Sequence, residues 1–451
     1  MQKPSRRTHR DRMQKMVHSL REEIFSGKYA PDTFLPAEKV LADRFDVGTN
    51  SVSKALDILA EEGLIVKTRR VGSKVIKKET VHFGVHTKMN RDLDLATLLS
   101  EFHKDYPHIQ INPIAITDDY RASNMTDDLL STGRFDMILM NQIYYQNMRE
   151  NDRLDMLQPL PLQSGVYPSI QDKLLEDGTS YVRLLAYSPV ILCYNKEHFQ
   201  EAGLLEPHSG WTWKDLLHHS DVLSKGAERY GFYFDFQNSF NRWPIILLQK
   251  ILHKEKGKER KDRLSADDVM EVLKFSRTLL ETASVMPGLL SSGTALTLFA
   301  EGKISMFMST YFLLNEFKEA SIPYDIAPLP HFTDPRTLLI WQGVAIYSKT
   351  SVPEAAQVFV DFLSSHKGQE IIQRNTLSIP GSGTVADLPL GAGLNAPSRY
   401  QLYREIIPTY RTISESQLSI KAIEAIHQLL QLFSSGIAGE EEVREKLKAW
   451  L

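Results

Sequence analysis

The chain has 451 residues, 42% of them apolar and 24% charged, with a formal net charge of −3. That length exceeds one compact core and implies two or three domains, and the composition excludes a collagen, a wholly disordered chain and a disulfide scaffold. The lone cysteine, Cys193, cannot form a bridge within the chain, so no oxidising compartment is required. No apolar run reaches the roughly 20 residues of a membrane-spanning helix. The basic, amphipathic start lacks the apolar run and cleavage site of a secretory signal; the expectation is a cytoplasmic protein with no membrane partner. Charge is uneven, since residues 1–80 carry 17 Lys and Arg against 11 Asp and Glu. That is the asymmetry of a basic nucleic-acid module on an acidic body.

Met13, Val17, Leu20 and Ile24 recur at helical spacing, and Gly27 ends that stretch. Pro36 and Glu38 suit the first turn of a second helix carrying Ala37, Val40, Leu41 and Phe45 inward. After the turn Asp46-Val47-Gly48, a third helix turns Val52, Ala55, Leu56 and Leu59 to the core and Asn50, Ser53, Lys54 and Asp57 outward. Two short helices across a tight turn are the unit that lays its second helix in a major groove. Residues 64–66 and 74–76 then read as two strands around the basic tip Arg69-Arg70-Val71-Gly72-Ser73, suited to phosphate or minor-groove contact.

Residues 10–78 resemble the winged helix-turn-helix of the GntR family of bacterial regulators. The resemblance is carried by Leu35-Pro36-Ala37-Glu38-Lys39, Leu41-Ala42, Val47, Val52, Ala55-Leu56, Leu59, Gly63-Leu64-Ile65 and Gly72-Ser73. It implies contact with double-stranded operator DNA by Lys39, by Thr49, Asn50, Ser51 and Ser53 of the recognition helix, and by Arg69 and Arg70 of the wing. Thr49 and Ser53 stand where the family usually has Arg, Gly48 where it has Ser and Arg70 where it has Gly. Two bidentate guanine readers are thus missing, each worth about 1–3 kcal/mol of discrimination. The operator is expected to differ from the family's usual one, with Lys54 and the wing carrying more of the affinity.

From residue 81 short apolar runs alternate with helical stretches: strands at 81–85, 109–116 and 135–140, and helices at 93–106 and around Leu129-Leu130. That alternation implies a mainly parallel sheet with ligands off the carboxyl ends of its strands. A second unit has strands at 182–185 and 190–194, with Tyr187-Ser188-Pro189 between them as a hinge. A helix follows Trp211-Thr212-Trp213, with Thr212 as cap; then come a strand at 232–236 and an apolar helix at 240–252. Residues 253–263 read as a charged surface loop.

This body is similar to the family 1 extracellular solute-binding proteins, the sugar receptors of ABC importers. The matching residues run from Phe135-Asp136-Met137-Ile138 and Leu157-Gln158-Pro159-Leu160 through Tyr194-Asn195-Lys196 and Phe299-Ala300-Glu301-Gly302-Lys303. They continue to Tyr324-Asp325-Ile326-Ala327-Pro328 and Gly343-Val344-Ala345-Ile346. The resemblance implies a periplasmic-binding-protein fold of type II. The expected fold is thus α/β, a winged helix-turn-helix plus a two-lobed domain with a hinge. The expected boundaries are 1–78 for the head and 79–451 for the body. Within the body, lobe 1 takes about 81–187 and 343–387, and lobe 2 about 190–341 and 390–451, with crossings near 187–190 and 341–344.

A sugar offers apolar C–H faces and a rim of hydroxyls, so its site needs flat aromatics and a few fixed polar groups. The candidate set for a sugar or oligosaccharide effector is His86, Asn141, Tyr144, Tyr187, Trp243, Tyr311, Trp341 and Gln342, with Thr87, Tyr145 and Ser188 nearby. Tyr311 occupies the position where family receptors commonly place an aromatic. Trp243, opening an apolar helix, has a core role equally open to it. No phosphate loop, nucleophile elbow or metal spacing is present, and the pairs Asp118-Asp119 and Asp127-Asp128 read as surface or cap residues. The expectation is a one-component sensor and not an enzyme, without metal or cofactor, acting as a homodimer. The alternative is a DNA-binding regulator whose C-terminal domain is a ligand-free dimerisation or protein-interaction module.

Overall fold

A computed structural model describes residues 6–68, 71–76, 78–116, 133–236, 243–251, 264–287 and 292–450. Arg69 and Arg70, the helix around Leu129-Leu130, both Asp pairs and the charged stretch 253–263 lie outside the described residues.

At the N-terminus, helices α1 (Arg6–Phe25), α2 (Glu38–Phe45) and α3 (Thr49–Glu61) precede an antiparallel hairpin of β1 (Ile65–Thr68) and β2 (Gly72–Val75). The apolar stripes converge, with Met16, Leu20, Leu41, Val52, Leu56 and Leu59 fully buried in a core separate from that of the body. Pro36 falls before the α2 cap, Ala37, and not inside the first turn; its ring leaves the preceding residue extended. Asp46 ends α2 in the left-handed conformation and donates its N–H to the Ala42 carbonyl, so an aspartate fills a place usually given to glycine. The connector at residues 33–35 is stitched to the hairpin by Leu35 N–H on the Ser73 carbonyl at 2.7 Å and Val75 N–H on the Thr33 carbonyl at 2.8 Å.

In the body, β3 (Glu79–His86), β4 (Ile109–Ile116) and β5 (Met137–Asn141) lie parallel, with β3 in the middle. Between β3 and β4 the chain forms α4 (Thr87–Leu93) and α5 (Leu95–Asp105). The helix expected at 93–106 is present as α5, and α4 is an added helix set off from it by Asp94 at φ 50°. Helix α6 (Gln142–Glu150) follows β5 directly.

The strands expected at 182–185 and 190–194 form one strand, Arg183–Asn195, unbroken through Tyr187-Ser188-Pro189. Its first half pairs antiparallel with the strand Thr337–Ile346, which also pairs with β5. Its second half pairs with the strands Ile304–Thr310 and Tyr324–Ala327. Pro189 lies where one set of neighbours gives way to the other, the place in a central strand that best tolerates a missing N–H. Two further strands, Tyr230–Phe234 and Val285–Pro287, extend the sheet from Ile304–Thr310. Helices pack against the strands of each half, giving two α/β lobes threaded by two shared strands.

One ion cluster ties the head's first two helices. Arg44 and Lys28 both bond the Glu23 carboxylate, Lys28 at 2.8 Å. The Arg44 bond, opposed by burial and aided by Lys28, pulls the Glu23 pKa down to about 2. A lowered carboxylate pKa stabilises the fold above the ordinary carboxylate range and loses that contribution as pH falls toward about 2. Glu23→Gln is expected to destabilise the head by about 1 kcal/mol at pH 7, the scale of a partly solvated ion pair. Its loss of stability between pH 5 and pH 2.5, followed by circular dichroism melts, should be shallower than that of the wild type.

Candidate functional site

The recognition helix α3 begins at Thr49 behind Gly48, whose carbonyl accepts the N–H of Ser51 at 2.8 Å and of Val52 at 3.1 Å. Thr49, Asn50, Lys54 and Asp57 are exposed, Ser51 and Ser53 half-buried, and Lys39 is exposed on α2. A helix start with exposed polar side chains is a ready phosphate seat. Asp57 puts a carboxylate on that same outward face, where it opposes a polyanion. The structure answers it with a residue the sequence did not single out. Lys67, on β1, reaches back to the helix with its Nζ 2.6 Å from Asp57 Oδ1 and 3.2 Å from Ser53 Oγ. The signal was faint, a lysine in a strand pairing with a residue ten positions earlier.

In the body, the candidate ligand residues other than Trp243 fall into three places. Trp243 stands apart inside lobe 2 with no exposed surface; its indole N–H bonds the Ser276 hydroxyl at 3.2 Å and its ring lies 6.0 Å from His427. Tyr187 and Tyr311 are likewise fully buried, walled in by tyrosines from a later segment. The Tyr311 hydroxyl donates to the Tyr400 carbonyl and accepts from the Tyr403 N–H, while Tyr187 meets Tyr403 and Tyr410 edge-on. In this conformation the chain's own side chains fill the space around these three rings, and Ser188 Oγ accepts the Tyr311 N–H at 2.8 Å. Burial drives the Tyr187 and Tyr311 hydroxyl pKa values well above the ordinary phenol range.

The second place is the junction of β5, α4 and the 337–346 strand. Asn141 caps α6, its Oδ1 accepting the N–H groups of Ile143 and Tyr144. Across the ladder from it, Gln342 donates its side-chain N–H to Asp92 Oδ2 at 2.8 Å. Asp92 is buried, and that burial, offset in part by Arg91 and Gln342, raises its pKa to about 6. His86 closes β3 beside α4 and is buried; Thr87, next to it, is exposed. Tyr144 packs into the lobe 1 core.

The third place is an open groove beside Trp341. One face of α6 lines it with Gln142, Tyr145, Gln146 and Arg149, at spacing i, i+3, i+4 and i+7. Opposite lie Lys173, Leu175 and Glu176, and Thr412, Ile413 and Ser414 close the end. The groove has a cavity volume of about 30 Å³, room for about two waters and well short of the roughly 300–1,000 Å³ of an occupied small-molecule site. Tyr145 and Trp341 meet edge to face with centroids 5.7 Å apart, and the Trp341 N–H bonds Gln142 Oε1 at 3.2 Å. The Tyr145 hydroxyl is buried with no hydrogen-bond partner among the described residues. Sequence reasoning found Trp341 and came close at Tyr145. It missed Gln146 and Arg149, which the polar stripe of α6 could have revealed.

Fold and groove together define a two-lobed solute-binding body of the type II periplasmic-binding-protein class beneath a winged helix-turn-helix. Residues 13–75 match the family described as bacterial regulatory proteins, gntR family, and residues 93–370 match bacterial extracellular solute-binding protein. The chain belongs to the bacterial extracellular solute-binding protein family and carries a GntR-family helix-turn-helix at its N-terminus. A binding protein of Brucella abortus (strain 2308) is 22% identical over 283 residues, 58% of this chain and 66% of that one, so the chain spans just under two thirds of that relative. The regulator TreR of Bacillus subtilis (strain 168) is 34% identical over 64 residues, 14% of this chain and 27% of its own. Among solved structures, the ABC substrate-binding protein Lmo0181 of Listeria monocytogenes in complex with cycloalternan shares the fold. It has a TM-score of 0.67 at 18% identity, covering 83% of this chain and 98% of that one. Maltose-bound MalE3 of T. maritima gives 0.65 at 13% identity, covering 82% and 100%.

Two predictions concern single residues. Lys67→Ala exposes the Asp57 carboxylate to DNA and should weaken binding by about tenfold in an electrophoretic shift on promoter DNA, with Asp57→Asn restoring most of it. Asp92 behaves oppositely to Glu23: its raised pKa makes the ionised form unfavourable in the fold, so stability is fullest at acid pH and declines as pH rises through about 6. Asp92→Asn should remove that decline, visible as a smaller drop in melting temperature between pH 5 and pH 7.5.

Proposed function

We propose that the protein is a ligand-responsive DNA-binding transcriptional regulator. In this reading residues 1–78 bind operator DNA, and residues 79–451 bind a sugar or oligosaccharide between two lobes. The observation that carries it is the joining, in one chain, of a regulator's head to a solute-binding body with an open groove beside a packed aromatic pair. The groove offers what a sugar ring asks for: the Trp341 and Tyr145 rings, the amides of Gln142 and Gln146, the Arg149 guanidinium and the unpaired Tyr145 hydroxyl. As seen, its volume holds only about two waters, so in this reading a ring enters only as the lobes part. The named neighbours bind cycloalternan and maltose, which supports the choice of carbohydrate for this chain.

The mechanism is a population shift. A ligand touching both lobes favours the arrangement it fits best, and it moves the DNA-binding equilibrium only by its differential affinity, typically 1–3 kcal/mol of coupling. Two heads in a homodimer then meet half-sites about one helical turn apart with altered spacing. The working place is the cytoplasm, where the operator is, and the chain performs no chemistry on its ligand. Among the described residues no helix is long and apolar enough to cross a membrane.

A second reading has its own support: the tyrosines filling the space around Tyr187 and Tyr311 suit a body that has become a ligand-free dimerisation or docking module. A thermal-shift series with maltose, maltotriose, glucose, tagatose, amino acids and short peptides separates the two. The sensor reading predicts a rise of several degrees with one sugar class, abolished by Arg149→Ala, whose partly exposed side chain can be cut back with little loss of the unliganded melting temperature. No shift with any member of the series favours the docking module.

A further inference from the structure

The passage from head to body is short and tied at both ends. The N–H of Ile76 bonds the Leu64 carbonyl inside the head at 3.0 Å, and the Lys78 ammonium lies over the Phe25 ring of α1. One residue later Glu79 opens β3 and donates its N–H to the His108 carbonyl at 3.1 Å. Between Ile76 and Glu79 the sequence holds only Lys77 and Lys78, with none of the Gly or Ser of a flexible spacer.

A second contact lies beside the first. Gly63, in the turn that follows the recognition helix, has φ +65°, and a Cβ built there would sit 2.5 Å from the Pro107 carbonyl carbon and 2.6 Å from the His108 nitrogen. The glycine thus meets two demands, a left-handed turn and a backbone-to-backbone seat on the α5–β4 turn. That turn is itself fixed in lobe 1. Tyr106 stacks on Phe102 at 4.9 Å, Phe102 packs on Phe359 at 4.7 Å, and His103 Nε2 accepts the Ile111 N–H.

We infer that the head and lobe 1 are one rigid body, so that any rearrangement of lobe 2 against lobe 1 displaces the recognition helix as a solid lever. The inference rests on the proposed sensing role for its purpose, but its geometry stands without a ligand. Two attachment points set apart in sequence, the chain bonded at Ile76 and Glu79 and the Gly63 seat, remove the swivel that a single linker would leave. A tether alone would let the two heads of a dimer sample many spacings, and lobe movement would then reach DNA only weakly.

The test is a distance measurement by electron spin resonance on the full chain without ligand. Cys193 is buried, so spin labels go to introduced cysteines at exposed positions. One pair, Asp43→Cys with Lys349→Cys, spans head and lobe 1; another, Asp43→Cys with Glu228→Cys, spans head and lobe 2. The expected result is a single narrow distribution for the first pair. It should broaden when Gly-Ser-Gly-Ser is inserted after Lys78 together with Gly63→Ala, or with Pro107→Gly, which leaves the head's own turn native. A broad distribution in the parent chain, or one equally narrow in both inserted variants, overturns the inference. A narrow first pair in a chain that no sugar stabilises counts against sensing alone. A broad first pair in a chain that a sugar does stabilise counts against the lever alone.

Discussion

Gly343 has no room for a side chain: a Cβ there would lie 2.4 Å from a Val182 methyl and 2.7 Å from the Arg183 carbonyl oxygen. The close approach holds the 183–195 and 337–346 strands together where they pass from one lobe to the other, and the ladder shifts its register between Gln342 and Gly343. A bulge of this kind re-aims side chains. Just before it, on opposite faces of the strand, Gln342 is committed to Asp92 and Trp341 lines the groove. The groove, the buried acid and the tyrosine cluster all lie within a few residues of this shared pair. Moving one lobe against the other must twist these two strands.

The head was legible from sequence because its signals are local. Helical spacing, a tight turn and a glycine after each helix are all read within four or five residues, and the buried set Val52, Ala55, Leu56 and Leu59 is the set the spacing names. The body was legible as a class and less so in detail. Pro189 in an apolar run reads as an interruption, since nothing local says that its neighbours change partner at that point. Asp94 in the left-handed conformation sets the unexpected α4 apart from α5 without the glycine that would have announced the break.

Site residues were harder, for a physical reason. An aromatic at a strand end has the same sequence signature whether it faces a ligand or another part of the chain, because burial rewards both. Tyr311 and Tyr187 are covered by Tyr400, Tyr403 and Tyr410, residues about ninety or more positions away from Tyr311 or Tyr187; only the tertiary fold brings them together. Trp341 and Tyr145 share a wall of the groove through a pairing just as distant. Gln146 and Arg149 were missed because a polar stripe on a helix ordinarily faces water. Here the stripe faces the other lobe, whose 412–414 segment closes the groove.

The contacts across that groove suggest what holds the lobes as they are seen. Glu150, at the end of α6, accepts the Ile420 N–H at 2.9 Å and so caps the helix Ile420–Ser434 of the other lobe. Lys173 pairs with Glu415 nearby, and on the opposite side Arg91 of α4 pairs with Glu316. Each of these is a charge partly open to solvent, worth little alone, and a carboxylate at a helix start adds about 0.3–1 kcal/mol. Ties of that size hold one arrangement without locking it. A ligand offering a few well-placed hydrogen bonds to α6 competes with them on equal terms, since the coupling an effector needs is itself only a few kcal/mol. Buried bonds cross as well, the Asn315 amide donating to the Ser378 hydroxyl at 3.0 Å and the Tyr400 hydroxyl to the Ser378 carbonyl at 3.2 Å. The lobes are held more firmly there than along the groove, where a ligand competes only with the weak ties.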